Sequence, residues 1–179
     1  MPRRELPLSH LLRYAFLRTV LRSILLPTSA TPARRDPPVD PRGVRFSAAL
    51  TTVVLALVLV SGSGWLLAAQ ALVFALGSVA GLRFAPYSVV FRKLVAPRLV
   101  PPTEKEEAAP VRFSQTVGLV FALVGAAGYF ANVTALGVIA TAFALAAAFL
   151  NAAFGFCLGC EMYGLIARFR KNNQQGATA

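Results

Sequence analysis

The sequence predicts an all-α integral membrane protein with four transmembrane helices arranged as two similar helical hairpins, and with short interfacial helices on the cytoplasmic side. Three observations lead to this fold class. The chain is 56% hydrophobic with a mean hydropathy of +0.63, which is too apolar for an ordinary soluble domain. Its net charge of +11 comes from basic residues that lie between the apolar segments. The two halves of the apolar region also share motifs, which indicates an internal repeat.

Residues 1–38 precede the predicted membrane domain and form a basic N-terminal extension. Apolar residues recur there at helical spacing, with arginines between them: Leu8, Leu11, Leu12, Ala15 and Phe16. This pattern is typical of an amphipathic helix lying on the inner leaflet, and a flexible extension is the alternative. Arginines interrupt every apolar run and no small-residue cleavage site follows one, which argues against a secretory signal peptide.

Four apolar segments follow, and together with their flanks they form a predicted membrane domain at residues 39–168. The predicted spans are residues 46–61, 65–82, 114–131 and 134–156. Their lengths are close to the roughly 20 residues that cross the hydrocarbon core of a bilayer. The last apolar stretch continues to about residue 166, which is longer than one crossing needs. Its excess contains both cysteines of the chain, Cys157 and Cys160.

The distribution of the 18 lysines and arginines predicts the orientation in the membrane. Nine precede the first span, six lie between the second and third spans, and three follow the fourth. The two short loops, residues 62–64 and 132–133, contain none. By the positive-inside rule, both termini and the central loop are cytoplasmic, with a flexible basic tail at residues 169–179. We expect a plasma-membrane or inner-membrane protein whose cations contact lipid headgroups rather than nucleic acid.

An internal repeat relates the two halves of the membrane domain. Residues 44–47 and 111–114 are both Val-Arg-Phe-Ser, and each tetrad opens the first span of its half. Residues 81–92 also align without gaps with residues 157–168. Three aligned pairs are identical: Leu82 and Leu158, Tyr87 and Tyr163, Arg92 and Arg168. Both halves start on the same side, so the repeat is parallel and its pseudo-two-fold axis runs along the membrane normal.

The repeat predicts a short interfacial helix after each hairpin. Pro86 suits the first turn of such a helix, and four residues would share one of its faces: Tyr87, Val90, Phe91 and Leu94. The matching helix of the second half would begin near Met162 and end at about Arg168. Gly155 and Gly159 would permit a break between the fourth span and this helix. One uninterrupted helix over residues 134–170 is the alternative.

The Cys157-Leu158-Gly159-Cys160 motif carries most of the reactive chemistry available to the chain, which has one histidine, His10. The predicted break places Cys160 and Glu161 at a helix N-terminus, where a thiolate is favoured. Glu161 would accept a proton from Cys160 or cap the helix. Because the repeat aligns Gly159 with Arg83, we expect the Arg83 guanidinium to approach the thiols and stabilise a thiolate.

Four interpretations of the cysteine pair remain open. A redox or sulfur-relay pair would meet a cytoplasmic thioredoxin-like or sulfurtransferase partner and would rest as a dithiol, since that compartment is reducing. A zinc or iron–sulfur site would need two chains, for example a homodimer, because one chain supplies only two thiolates. No other metal or cofactor is predicted. A transporter of a small molecule, such as a sulfur compound, and a non-enzymatic scaffold with structural cysteines are the remaining alternatives.

Other residues in the spans suggest helix packing. Amide side chains within or beside spans are expected to form helix–helix hydrogen bonds: Gln70, Gln115 and Asn151. Asn151 is the strongest of these as a secondary site residue, because it lies about two turns before Cys157. Small residues in the third span predict close helix approach: Gly118, Ala122, Gly125 and Gly128.

Three motifs resemble a bacterial membrane family, common in actinobacteria, that is called domain of unknown function 4395. They are residues 39–46 (Val-Asp-Pro-Arg-Gly-Val-Arg-Phe), residues 109–115 (Ala-Pro-Val-Arg-Phe-Ser-Gln) and residues 151–163, which contain both cysteines. The resemblance covers about residues 39–168 and implies a multi-pass membrane protein with a Cys-x-Gly-Cys-like motif. Relatives whose genes lie near genes for thioredoxin-like proteins and sulfurtransferases would favour the thiol and sulfur interpretations of the cysteine pair. An enzymatic member would be a thiol–disulfide oxidoreductase or sulfur relay.

Overall fold

The computed structural model describes residues 37–102 and 105–176, and within these ranges the chain folds into six helices without a β-strand. The helices are α1 (Pro41–Ser61), α2 (Gly64–Ala75), α3 (Pro86–Val90), α4 (Ala108–Phe130), α5 (Thr134–Phe154) and α6 (Leu158–Gly176). Helix α2 continues as a π-helical turn at Leu76–Ala80, and α3 continues through Phe91–Val95 and Ala96–Arg98. The amphipathic helix expected near the N-terminus lies outside the described residues.

Three of these helices are long and apolar enough to cross a membrane: α1, α4 and α5. The helix at Gly64–Ala80, formed by α2 and its π-helical turn, is apolar but shorter. It ends two residues before the predicted span does, because Gly81 adopts a φ of 97° that a helix cannot continue through. At about 1.5 Å per residue it is roughly 25 Å long, near the lower limit for a crossing. A fourth crossing stays a prediction.

Short polar and glycine-containing turns connect the long helices. Asp40 caps α1 by accepting a hydrogen bond from the backbone N–H of Arg42 at 2.9 Å. Ser63 caps α2, since its hydroxyl oxygen lies 3.3 Å from the backbone nitrogen of Leu66. Helix α5 ends where Gly155 adopts a left-handed φ of 70°. The predicted break between the fourth span and the following helix is therefore present.

Helix α6 begins at Leu158, four residues earlier than the repeat predicts, and this start corrects the expected one near Met162. The two halves differ because of one residue. Pro86 disfavours a helical conformation in the residues before it, so residues 81–85 form turns ahead of α3. Met162, which aligns with Pro86, imposes no such restriction. The helix of the second half therefore incorporates the segment that contains Cys160 and Glu161.

Helix α3 begins at Pro86 as predicted, but only part of its predicted apolar face is buried. Phe91 is buried, and its ring lies 5.7 Å from that of Phe46 in α1. Tyr87 is partly buried beside it, whereas Val90 and Leu94 are exposed. The π-helical turn that follows Val90 widens the helix, so residues spaced for an ordinary α-helix no longer share one face.

The first long helix of each half of the repeat packs against the second long helix of the other half. Helix α1 packs mainly against α5, and its repeat counterpart α4 packs against α2. Helices α4 and α5 also contact each other, and the exit helices α3 and α6 rest on α1 and α4 respectively. This pairing is the one expected of a parallel repeat, in which the first helix of each half contacts the second helix of the other half. The central hydrophobic cluster contains residues of all four long helices: Leu55, Val58, Leu67, Ala71, Phe74, Ala122, Ala126 and Ala144.

The glycines of α4 permit the close helix approach that the sequence predicts. A Cβ atom at Gly118 would lie 2.9 Å from the ring of Phe74, and one at Gly125 would lie 2.7 Å from the side chain of Leu67. At Gly128 it would lie 2.7 Å from the backbone nitrogen of Gly137 in α5. Because backbone cannot move aside as a side chain can, Gly128 sets the α4–α5 distance near their shared turn.

In each half of the repeat, one arginine donates hydrogen bonds to the C-terminal carbonyls of a helix in the other half. The Arg45 guanidinium donates to the backbone carbonyls of Ala152 and Ala153, at 3.5 and 3.4 Å, at the end of α5. Arg112 donates through Nε and Nη2 to the carbonyl of Ser78, at 3.2 and 2.8 Å, at the end of the α2 helix. Each Val-Arg-Phe-Ser tetrad therefore supplies a cation to the C-terminus of a helix in the other half, where unpaired carbonyls favour positive charge.

A buried amide links α3 to the bundle. Gln70 is 1% exposed, and its Oε1 accepts a hydrogen bond of 2.7 Å from the Tyr87 hydroxyl. Its Nε2 has no hydrogen-bond partner in the described part of the chain. Burial raises the pKa of Tyr87 above its ordinary value of 10.0, so the hydroxyl remains a donor at neutral pH. Gln70 therefore connects α2 to α3 rather than to another long helix.

We predict that Tyr87→Phe destabilises the fold. The substitution leaves a buried amide oxygen without its donor, which costs about 1–3 kcal/mol in the free energy of unfolding. Tyr163→Phe is the matched control, since Tyr163 occupies the equivalent repeat position and its hydroxyl makes no hydrogen bond within the described residues. Reversible unfolding in mixed micelles measures both variants. Equal stability of the two would contradict a stabilising role for the Tyr87–Gln70 bond.

We also predict that Gly159→Ala separates α6 from α4. A Cβ atom at Gly159 would lie 2.8 Å from Cα of Ser114, so α6 must move or tilt. The expected loss is about 1–3 kcal/mol of unfolding free energy, as in other overpacked contacts. Gly164→Ala, in the same helix with nothing within 4 Å of its added methyl group, should be neutral or slightly stabilising. An unfolding measurement in which the two variants behave alike would show that the Gly159–Ser114 contact is not limiting.

Candidate functional site

Both cysteines lie at the junction of α5 and α6. Gly155 ends α5, and Cys157 precedes the first residue of α6. Cys157 and Cys160 form a disulfide across the first turn of α6, with Cα atoms 5.2 Å apart. The structure therefore presents the oxidised form, whereas the sequence analysis expects a dithiol at rest. The two forms differ by two electrons and two protons, and the first helical turn accommodates the bonded pair without a break.

Cys157 occupies the N-cap position of α6. Its carbonyl accepts the first helical hydrogen bond from the backbone N–H of Glu161 at 3.0 Å. Its Sγ accepts a hydrogen bond from the backbone N–H of Cys160 at 3.3 Å. The positive end of the helix dipole and this N–H both favour negative charge on that sulfur. The start of α6 at Leu158 therefore directs the helix N-terminus and this N–H at Cys157, whereas the expected start near Met162 directed them at Cys160.

Ser114 of α4 contacts both sulfurs. Its Oγ lies 3.0 Å from Sγ of Cys157 and 3.7 Å from Sγ of Cys160. This approach is possible because residue 159 is glycine, and a larger residue there would meet Ser114. Sequence reasoning did not select Ser114 as a site residue. The signal for it was its place at the end of the second Val-Arg-Phe-Ser tetrad, where the repeat marks a shared structural position.

The two cysteines face different surroundings. Cys160 packs against an apolar cluster of three buried residues, Leu82, Ala108 and Val111. Cys157 lies on the wall of a cavity of about 610 Å³. Both are partly buried. A reagent in the cavity therefore meets the sulfur of Cys157, while Cys160 can reach that sulfur from within the fold. This difference is what a nucleophilic and a resolving cysteine require.

The cavity is bounded by α1, α4, α5, the start of α6 and the segment around α3, with Phe74 of α2, and its lining changes in character along its length. Charged side chains line one end: Asp40, Arg83, Arg92 and Lys105. Near the cysteines the lining is uncharged and polar: Ser47, Thr51, Ser114, Gln115 and Asn151. The other end is aromatic: Phe74, Phe121 and Phe143. From Ala108 to Phe121 the cavity follows α4 for about 20 Å at the usual helical rise.

Residues at equivalent repeat positions line opposite sides of this cavity. Ser47 of α1 corresponds to Ser114 of α4, and both belong to the lining. Thr51 and Gly118 form a second such pair. The cavity therefore lies between the first helices of the two halves. Only the second half brings a cysteine to its wall, because Gly81 occupies the position in the first half that aligns with Cys157.

The predicted charged partners of the thiols form no hydrogen bond to the sulfurs within the described residues. Arg83 lines the cavity, but its guanidinium lies 4.7 Å from the ring centre of Phe84 and makes no hydrogen bond to either sulfur within the described residues. Glu161 is exposed in the first turn of α6. Their roles toward a thiolate stay predictions. Arg45 was not selected, yet it binds the end of α5 just before the Gly155 turn and is the cation that the structure places at this junction.

The described residues contain no group of three or more His, Cys, Asp or Glu side chains that could hold a metal ion. Two thiolates alone leave a tetrahedral zinc or iron–sulfur site half complete. His10 lies outside the described residues. A metal site at Cys157 and Cys160 would therefore need ligands from outside the described residues, for example from a second chain.

Comparison with known proteins identifies a family but no characterised relative. Neither the curated protein sequences nor the solved structures contain a match to this chain. A family model described as "Domain of unknown function (DUF4395)" matches residues 39–168, which include every helix around the cavity and both cysteines. The match confirms the family resemblance that the three sequence motifs indicate. The chain belongs to the DUF4395 family.

Proposed function

We propose that this protein exchanges thiols and disulfides at a membrane surface, with Cys157 as the attacking cysteine and Cys160 as the resolving cysteine. The observation that carries the proposal is the unequal placement of the two sulfurs. Cys157 faces the cavity at the N-cap of α6, and Cys160 packs against Leu82 and Val111 one helical turn away. A purely structural pair would have no need of a cavity or of an N–H directed at one sulfur.

The exchange proceeds in two balanced steps. The Cys157 thiolate attacks a partner disulfide, so that a mixed disulfide forms and one partner thiolate leaves. The Cys160 thiol then loses its proton and attacks Sγ of Cys157, which releases the second partner thiolate and closes the internal disulfide. Ser114, 3.0 Å from Sγ of Cys157, is positioned to donate its hydroxyl hydrogen to the attacking thiolate. The reverse sequence reduces the pair.

The same two sulfurs would serve a sulfur relay. A persulfide partner transfers its outer sulfur to the Cys157 thiolate, which then carries a persulfide, and the partner leaves as a thiolate. Attack by Cys160 on Sγ of Cys157 closes the internal disulfide and releases hydrosulfide. Both reactions use Cys157 first and Cys160 second, so the choice between them depends on the partner. Thioredoxin-like and sulfurtransferase proteins are the partner classes we propose.

We place the protein in the plasma or inner membrane with four crossings formed by α1, α2, α4 and α5 as two hairpins. The uncharged turns at residues 62–64 and 132–133 would lie outside, and the basic segments and both termini would be cytoplasmic. The exchanged packing of the two halves and the reciprocal caps of Arg45 and Arg112 support the repeat on which this layout rests. The cysteines would then face the cytoplasm.

Transport of a small molecule is the second candidate function. The cavity favours it, because transporters built from repeats bind substrate between the halves, and here Ser47 and Ser114 face one cavity from equivalent positions. A transporter would tolerate loss of the thiols if they only pack. Uptake that persists in a Cys157→Ser, Cys160→Ser double variant would favour transport over thiol exchange.

We predict that Cys160→Ser traps the partner and Cys157→Ser does not. Without the resolving sulfur, the mixed disulfide on Cys157 persists, whereas the Cys157→Ser variant leaves only the packed sulfur of Cys160. Acid quenching of cells followed by non-reducing electrophoresis measures the adduct, and mass spectrometry identifies the attached protein. Equal trapping by both variants, or by neither while the wild-type pair stays permanently reduced, would contradict the assigned roles.

We predict that the turn between α4 and α5 is accessible to reagents from outside the cell, and that the central segment around Val100 is accessible only from the cytoplasm. In a Cys157→Ser, Cys160→Ser background, Val133→Cys places a thiol in the outer turn and Val100→Cys places one in the central segment. Both valines are exposed, at 51% and 78%. A membrane-impermeant maleimide should label Val133→Cys in intact cells and Val100→Cys only after lysis. The opposite pattern would invert the orientation, and labelling of both in intact cells would disprove the layout.

A further inference from the structure

We propose that the cavity beside Cys157 binds a quinone, which accepts two electrons from the reduced cysteine pair. This inference rests on the proposed thiol–disulfide function and names its membrane-soluble co-substrate. In this scheme a soluble thiol partner reduces the pair, and the quinone reoxidises it.

The size of the cavity favours a cofactor-sized ligand. Its volume of about 610 Å³ lies within the range of sites that enclose drug-sized molecules. A partner cysteine or a persulfide needs only the space directly above Sγ of Cys157. The cavity instead continues past the disulfide for about two helical turns of α4, from Ser114 to Phe121. A flat ring with the first part of an apolar tail would occupy this additional space.

The lining of this deeper part favours a neutral apolar ligand over an anion. The lining residues between Ser114 and Phe121 of α4, and all those of α5, are uncharged. An anion there would lose its hydration without gaining a cation, at a large cost in free energy. Phe121 and Phe143 lie with ring centres 6.3 Å apart and offer aromatic faces for ring packing. Gln115 and Asn151, which line the cavity, offer hydrogen-bond donors for quinone carbonyl oxygens near the disulfide.

The deep part of the cavity lies next to the apolar surface of the bundle. Phe143 lines the cavity and is 62% exposed, so its side chain borders both the cavity and the outer surface of α5. Helices α1, α4 and α5 are apolar enough to lie in lipid. A quinone dissolved in the bilayer could therefore enter from the side, while a soluble thiol partner reaches Cys157 from the charged end.

The reaction requires only the reduced cysteine pair, the quinone and one proton from water. The Cys157 thiolate and the Cys160 thiol form the S–S bond and release two electrons and the proton of Cys160. The two carbonyl oxygens of the quinone gain these electrons, the released proton and one proton from water, which gives a quinol. The Cys157–Cys160 disulfide then awaits reduction by the thiol partner.

The test uses the full chain in lipid nanodiscs. The protein is reduced with a phosphine, freed of reductant and mixed with a benzoquinone that bears a ten-carbon tail. Quinone absorbance and alkylation of the two cysteines are followed together. We expect one quinol and one disulfide per chain, and no quinol from Cys157→Ser or Cys160→Ser. In parallel, reduction of a small water-soluble aromatic disulfide by the same protein measures the proposed thiol exchange alone.

A matched pair of alanines in α5 tests whether the reaction uses the cavity. Ala147 lines the cavity and its neighbour Ala146 is exposed outside it. Ala147→Phe should slow quinone reduction by about tenfold or more relative to reduction of the small disulfide. Ala146→Phe should leave both rates at the wild-type value. Equal quinone rates in the two variants would overturn the cavity as the quinone site.

The two proposals fail in different ways. If the wild-type pair reduces the small disulfide but not the quinone, the quinone inference is overturned and thiol exchange stands. If neither is reduced, both proposals are overturned. Should Ala147→Phe fail to accumulate, a photoreactive quinone on the wild-type protein replaces it. Attachment to α4 or α5 at the cavity lining supports the inference, and attachment confined to other surfaces overturns it.

Discussion

The contact between the first turn of α6 and α4 determines the position of the whole candidate site. Ser114 approaches Gly159 so closely that any side chain at position 159 would displace one of the two helices. That approach brings the Ser114 hydroxyl to the sulfur of Cys157 and presses Cys160 against Leu82 and Val111. One backbone contact thus orients the cysteines differently, although they are only three residues apart in sequence.

The same structural repeat produces two different helix junctions. In each half, an arginine of the Val-Arg-Phe-Ser tetrad binds the carbonyl end of a helix in the other half, so the helix ends are equivalent in structure. The segments that follow diverge. Pro86 keeps residues 81–85 out of a helix, and Met162 permits α6 to start at Leu158. The repeat therefore carries one asymmetric site, because the cavity has polar residues on both sides and a cysteine on one side only.

The polarity of the cavity lining changes from charged at one end to aromatic at the other. Charged side chains at one end suit a water-soluble partner, and the phenylalanines at the other end suit a molecule from lipid. Cys157 lies between these regions, at the N-terminus of a helix that favours its thiolate. The proposed redox pair at this position would exchange electrons with one partner dissolved in water and with another dissolved in the membrane. The proposed thiol exchange and the proposed quinone site both follow from this placement.

The sequence by itself determined the helical class, the three helices of spanning length, the break at Gly155 and the family. These features depend on local hydropathy, on glycine conformation and on motifs that are contiguous in the chain. Only the tertiary structure identified Ser114 and Arg45 as neighbours of the cysteine junction, separated Cys157 from Cys160 by environment, and revealed the cavity. Arg83, which the repeat alignment matches with Gly159, stacks on Phe84 and lines the same cavity as Cys157, and its role toward a thiolate stays a prediction. Contacts between residues distant in sequence depend on how helices pack, and hydropathy and internal alignment carry no measure of that packing.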